Sequence, residues 1–207
     1  MMLAGVVLLG YVGWQFWGTN WQSHRQQQKV TRTLQTQWEA GGVRLQPKYV
    51  PKGEASALIR IPAFGKRYVV PVLEGISDDV LARGFGHFPN SAHPGQVGNY
   101  ALAGHRVTHG EPLRRMPELR PGDSVIVETA GATYTYRLDT NPNHLTVPFT
   151  AGWVIGPLPT NPEPGGVQPA QRRGQRLITL TTCSEIFHTD GRSIAFGHLV
   201  KAVPKDR

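Results

Sequence analysis

From Leu58 to Val203 the chain is a succession of short apolar or alternating runs, most of them closed by Gly, Pro, Asn or Asp. SALIRIPAF and KRYVVPVLEG are two such runs, and Phe64-Gly65 between them signals a hairpin. Ser77-Asp78-Asp79 ahead of Val80-Leu81 resembles an N-cap, predicting a short helix that ends at Gly84. HFPNSAHPGQ reads as a loop, and VGNYALAGH as a buried strand ending at His105. SVIVETAGATYTYRL predicts a second hairpin turning at Ala130-Gly131, and LTVPF and WVIGPL predict two further short strands. NPEPGGVQPAQRRGQ is a surface loop; RLITLTTC and SIAFGHLVKAV are the closing strands, on either side of SEIFHTDGR. Roughly eight short strands with little helix predict an all-β fold, a closed or nearly closed β-barrel.

The start of the chain follows another rule. MMLAGVVLLGYVGWQFWGTNW carries no charge, and its most apolar part ends near Trp17. That length suffices to cross a ~30 Å hydrocarbon layer, and Tyr11, Trp14, Trp17 and Trp21 suit its interfaces. With no small-x-small site after the run and no basic residues before it, a retained anchor fits better than a cleaved signal. Arg25, Lys29 and Arg32 follow the anchor, so the positive-inside rule taken alone would keep the body in the cytoplasm. The reading adopted is that the true start lies upstream and carries the missing charges. Gln22 to Glu39 is polar with weak helical spacing at Val30, Leu34 and Trp38, which reads as a stalk. The expected organisation is a transmembrane anchor over residues 1–21, a polar stalk over 22–42 and a β-barrel domain over 43–207.

Composition narrows the partners. The 207 residues hold 22 Lys+Arg against 14 Asp+Glu, a net charge of +8. Such a balance suits an anionic neighbour: nucleic acid, acidic lipid or an anionic envelope. The basic residues form no tract beyond pairs such as Arg114-Arg115, and Tyr134, Tyr136 and Arg137 make a poor stacking platform, so nucleic acid ranks last. A single cysteine excludes an internal disulfide without deciding the compartment.

That cysteine, Cys183, ends a strand beside a loop, where a side chain is held yet reachable. A small buried hydrophobe is the bland alternative. A cysteine nucleophile needs a proton partner and a holder of negative charge. His105, also at a strand end, is the candidate partner. Arg192 opens the strand after the Cys183 loop, and antiparallel pairing would return it alongside Cys183. A solvated turn arginine is its alternative. Thr181 and Thr182 offer hydroxyls. Metal readings fail: His105 and His109 have i, i+4 spacing, but Arg106 stands where a zinc protease carries glutamate, and ALAG predicts strand. Neither a metal nor a cofactor is expected.

These residues carry a resemblance. TLTTC (Thr179 to Cys183) matches the TLxTC signature of sortases, LAGHR (Leu102 to Arg106) the segment bearing the sortase histidine, and Arg192 the sortase arginine. PGQVGNYALAGHR followed by LRPGDSVIVET is similar to class E sortases, with class D the near neighbour. The resemblance covers about Leu58 to Val203. It implies a closed eight-stranded sortase-type barrel with short helices and a cysteine transpeptidase acting outside the cytoplasm, tethered by its single membrane segment. The implied partners are surface proteins bearing an LAxTG or LPxTG signal, cut between Thr and Gly, and an acceptor amine from a peptidoglycan precursor or a pilin lysine. The implied roles are nucleophile for Cys183, acid and base for His105, support of substrate and oxyanion for Arg192, and a substrate-binding contribution to the oxyanion site from Thr182. Class E sortases commonly carry a tyrosine four residues after the histidine that helps select Ala over Pro. Here that residue is His109, expected to contact substrate and to retain the LAxTG preference. The competing reading is a noncatalytic barrel that binds the cell envelope. At reference values the thiol titrates ~2 units above the imidazole, so the thiolate–imidazolium pair is only ~1 % of the enzyme and turnover should be slow.

Overall fold

The computed structural model describes residues 18–41, 50–183 and 190–205, the side chains of Thr19 and Cys183 excepted. Nine strands follow one another: β1 (Ala55–Arg60), β2 (Val70–Glu74), β3 (Phe85–His87), β4 (Gly98–Ala103), β5 (Ser124–Glu128), β6 (Ala132–Leu138), β7 (Thr146–Pro148), β8 (Arg176–Cys183) and β9 (Gly191–Pro204). They join in the order β6-β5-β1-β2-β3-β4-β8-β9-β7, and β6 also pairs with β9. That last pairing closes eight strands into a barrel and leaves β7 as a short flap on the start of β9. Closure removes the open edges that would otherwise template aggregation.

The alternation seen in the sequence sorts side chains between two cores. Ile59, Val72, Leu102, Val127, Ile178 and Leu180 point into one buried cluster inside the barrel. Ile194 and Phe196 of β9 belong to a second, with Val147 and Val154, against which Trp153 packs. The segment from Gly156 to Gly174 carries no strand; its turns are tied by its own side chains, as where Asn161 donates to the Val167 carbonyl at 3.0 Å and Gln171 to that of Pro159 at 2.8 Å.

Three local expectations change. WVIGPL is not a strand: Gly152–Ile155 is a 3-10 turn. Its Val154 and Gly156 carbonyls accept from the Asn99 amide, at 3.1 and 3.0 Å, and not from a strand. Conversely, Phe85–His87 is a strand, paired parallel to β2 and antiparallel to β4. The polar stalk is a helix, Thr19–Glu39, lying against β1 and β2. Ser23, Gln27 and Leu34 share one face and are buried there, while Lys205 at the chain's far end sits 4.5 Å over the Trp38 ring. Residues 1–17, most of the expected anchor, lie outside the described residues. Among the described residues no helix is long and apolar enough to cross a membrane.

Candidate active site

Three neighbouring strands bring the candidate chemistry together. β8 and β9 pair antiparallel with Thr181 opposite Ile194 and Cys183 opposite Arg192. On the other side of β8, β4 runs parallel, with Ala101 beside Thr179 and Ala103 beside Thr181. The ladder continues one step past β4, because the Gly104 amide donates to the Thr181 carbonyl at 3.1 Å. Extending that register by two residues brings His105 level with Cys183. Residues scattered over 87 positions of chain thus occupy one row, His105, Cys183, Arg192, at the same end of the barrel.

Thr182 fastens this row. Its buried hydroxyl donates to the Gly104 carbonyl at 2.7 Å, tying β8 to the residue preceding His105. The hydroxyl proton is therefore committed to holding that turn, not turned toward a reacting oxygen. Beyond His105 the chain loops back, the Leu113 amide donating to the His105 carbonyl at 3.0 Å.

An apolar groove of about 360 Å³ opens over the row. Ile76, Leu81, Phe88 and Val147 form its walls, and His105, Thr182, Arg192 and Asp78 supply its polar points. A buried network supports it from below: the Thr179 hydroxyl donates to Asn99 Oδ1 at 2.8 Å, and Asn99 holds the Gly152–Ile155 turn. A larger cavity, about 600 Å³, lies between the N-terminal helix and the segment 110–115, but its described lining includes neither His105 nor Arg192. Size does not identify the site; the row of reactive groups does.

His105 is in an unusual state. Its Nε2 is buried and has no hydrogen-bond partner among the described residues. Burial above all, then the neighbouring His109 ring and Arg192, push its pKa from 6.5 to about 4, against an opposing pull from Asp78. At neutral pH the ring is uncharged and able to accept a proton. His109 stacks on it with ring centroids 4.8 Å apart, and the groove lining does not include His109. Arg192 is half-buried, with Nη1 donating to the Gly191 carbonyl at 2.9 Å.

Residues 59–200 match the Sortase domain family. The chain belongs to the sortase family. It is 36% identical over 210 residues to Sortase SrtE1 of Streptomyces coelicolor, covering 98% of this chain and 56% of that protein. The chain thus spans little more than half the length of that sortase. Among solved structures, sortase E from Streptomyces avermitilis superposes with a TM-score of 0.65 at 38% identity, covering 74% of this chain and 93% of that one. Sortase E1 from Streptomyces coelicolor, solved with a tripeptide in the active site, gives 0.63 at 32% identity over 75% and 94% of the two chains. Both sortase neighbours are of the class E type that the sequence resembled.

Sequence reasoning missed two contributors. Asp78 reads as a helix-opening residue, and nothing in its local pattern announces that it faces a histidine. The N-terminal helix holds the loop after His105 through the polar side chains of Asn20 and Gln27, and hydrophobic spacing gives no sign of those contacts.

Proposed function

We propose that this sortase is a membrane-anchored cysteine transpeptidase that cuts an LAxTG- or LPxTG-type sorting signal between Thr and Gly and transfers the acyl part to an amine. The observation that carries the reading is the strand register that sets Cys183 opposite Arg192, with His105 two residues past the end of the adjoining strand β4. An extended peptide suits a groove walled by apolar side chains, and the S. coelicolor relative with its tripeptide supports such an occupant.

The steps follow from the groups. Neutral His105 takes the Cys183 proton as the sulfur attacks the Thr carbonyl, forming the S–C bond. The resulting imidazolium gives that proton to the departing Gly nitrogen as the C–N bond breaks, leaving a thioester. An incoming amine, from a peptidoglycan precursor or a pilin lysine, loses a proton to His105 and displaces the sulfur. Arg192 balances the negative charge on the oxygen at each tetrahedral stage. Thr182 contributes by fixing the turn that carries His105. Burial of His105 makes the ion pair rarer than reference values imply, so slow turnover is expected. Attachment to the membrane through residues 1–21 rests on the uncharged apolar opening run.

Mass spectrometry of Cys183 after incubation with a sorting peptide, with and without candidate amines, tests the chemistry. A thioacyl adduct should form and be discharged by the amine, and Cys183→Ala, His105→Ala and Arg192→Ala should each abolish it. A fully active Cys183→Ala sinks the proposal, and a thiol inert to alkylating reagents in the native protein favours the noncatalytic envelope-binding barrel. Peptides ending in LAxTG should turn over faster than LPxTG ones.

A further inference from the structure

We propose that the N-terminal helix is a working part of the active site, with Asn20 and Gln27 as positioning residues that hold the loop following His105 and, through His109, fix the setting of the catalytic imidazole. The contacts are specific. Asn20 Oδ1 accepts from the Gly110 amide at 2.9 Å, while its Nδ2 donates to Glu111 Oε1 at 2.8 Å and reaches the Val107 carbonyl at 3.5 Å. Two turns further along the same helix face, buried Gln27 donates to the His109 carbonyl at 3.3 Å. The approach is close: a Cβ on Gly110 would lie 2.4 Å from Gln27 Nε2.

The loop requires such a hold. His109, Gly110 and Glu111 have φ of 54°, 77° and 46°, three successive residues in the left-handed region. For the two that carry side chains this conformation is strained and persists only where surrounding contacts over-determine it. The helix supplies those contacts, and the product of the strain is the His109 ring stacked on His105. Among the described residues, the charged and titratable groups facing His105 are His109 from the loop, Asp78 from the segment after β2, and Arg192 from β9. Only His109 depends on the helix. Residues 19–39, which connect the apolar opening segment to the body, therefore transmit to the imidazole whatever displaces them.

The inference rests on the transpeptidase reading for its catalytic part, so its test includes a measurement that does not. In the full chain, Asn20→Ala combined with Gln27→Ala should free the loop, and NMR titration of the His105 ring should show its midpoint rising by about one pH unit toward the ordinary ~6.5. Turnover of a sorting peptide should fall between about tenfold and a hundredfold in kcat with KM nearly unchanged, because the helix does not line the groove. Asn20→Asp alone opposes two carboxylates and should behave like the alanine variant. Adding Glu111→Gln exchanges donor and acceptor across the contact and should restore both readouts. That rescue separates positioning from simple loss of fold, as does thermal unfolding of each variant. A wild-type His105 midpoint and kcat in the double alanine variant, or no rescue by the exchange, would overturn the inference. A wild-type protein that leaves sorting peptides untouched removes the transpeptidase reading instead, and the titration still decides whether the helix sets His105.

Discussion

His105 is a largely buried imidazole, and its protonation has a consequence for stability. Its folded-state pKa is near 4, whereas the unfolded chain binds that proton near 6.5. Between those values the unfolded state holds more protons, so stability rises with pH through the window. The contribution is present in full above about 6.5 and is lost as pH falls toward 4. Urea unfolding at pH 7, 5.5 and 4.5 should show a falling midpoint that flattens in His105→Gln, relative to wild type. Asp78→Asn should steepen the fall, since it removes the carboxylate that favours the charged ring. Identical slopes for wild type and His105→Gln would contradict this. His105 was legible because it follows closely on an apolar strand and stands in LAGHR. Asp78 was not, because its effect acts through space between segments far apart in the chain.

Elements marked by short apolar or alternating runs announced themselves. Residues 55–60, 98–103, 124–128, 132–138 and 176–183 all lie in such runs, and all are strands: 124–128 alternates, whereas 99–102 and 177–182 are buried at every position. β3 was silent because three residues with Gly at the centre have no period to display. Trp153-Val154-Ile155 misled for the opposite reason: its apolar residues serve a core but in a turn, held by the Asn99 amide. That amide is the strongest test at this scale. Asn99→Ala strands the Gly156 carbonyl and leaves the Thr179 hydroxyl and the Val154 carbonyl only each other, which costs about 1–3 kcal/mol. Urea unfolding should register the loss, while Asn143→Ala, on the surface, should stay within about 0.5 kcal/mol of wild type. A tolerated Asn99→Ala would mean that the turn holds itself. The helix at residues 19–39 escaped the hydrophobic pattern because Asn20, Ser23 and Gln27, three of its contact residues, are polar.

At the scale of the whole molecule, the barrel depends on the seam between β6 and β9, where Leu138 faces Gly197. A Cβ on Gly197 would meet the Arg137 carbonyl oxygen at 2.5 Å and Ile178 Cγ2 at 3.2 Å, so no side chain fits without parting the strands. Gly197→Ala should therefore destabilise by about 1–3 kcal/mol. Gly131→Ala, at a hairpin turn with open space around it, should be neutral in the same denaturation experiment. Equal midpoints for the two would show that the seam has slack. Closure also explains why the fold was readable as a barrel while the seam was not: strand count follows from pattern, but which two strands meet last is decided by twist and register. The self-tied segment between Gly156 and Gly174 adds a practical consequence. Its exposed tip at Pro164-Gly165 is a natural place to divide the polypeptide. The first fragment would carry the imidazole, and the second the sulfur and the guanidinium. On the proposed chemistry neither half would react alone, and reassembly across the β4–β8 ladder would act as a switch, making this chain a ready candidate for fragment complementation.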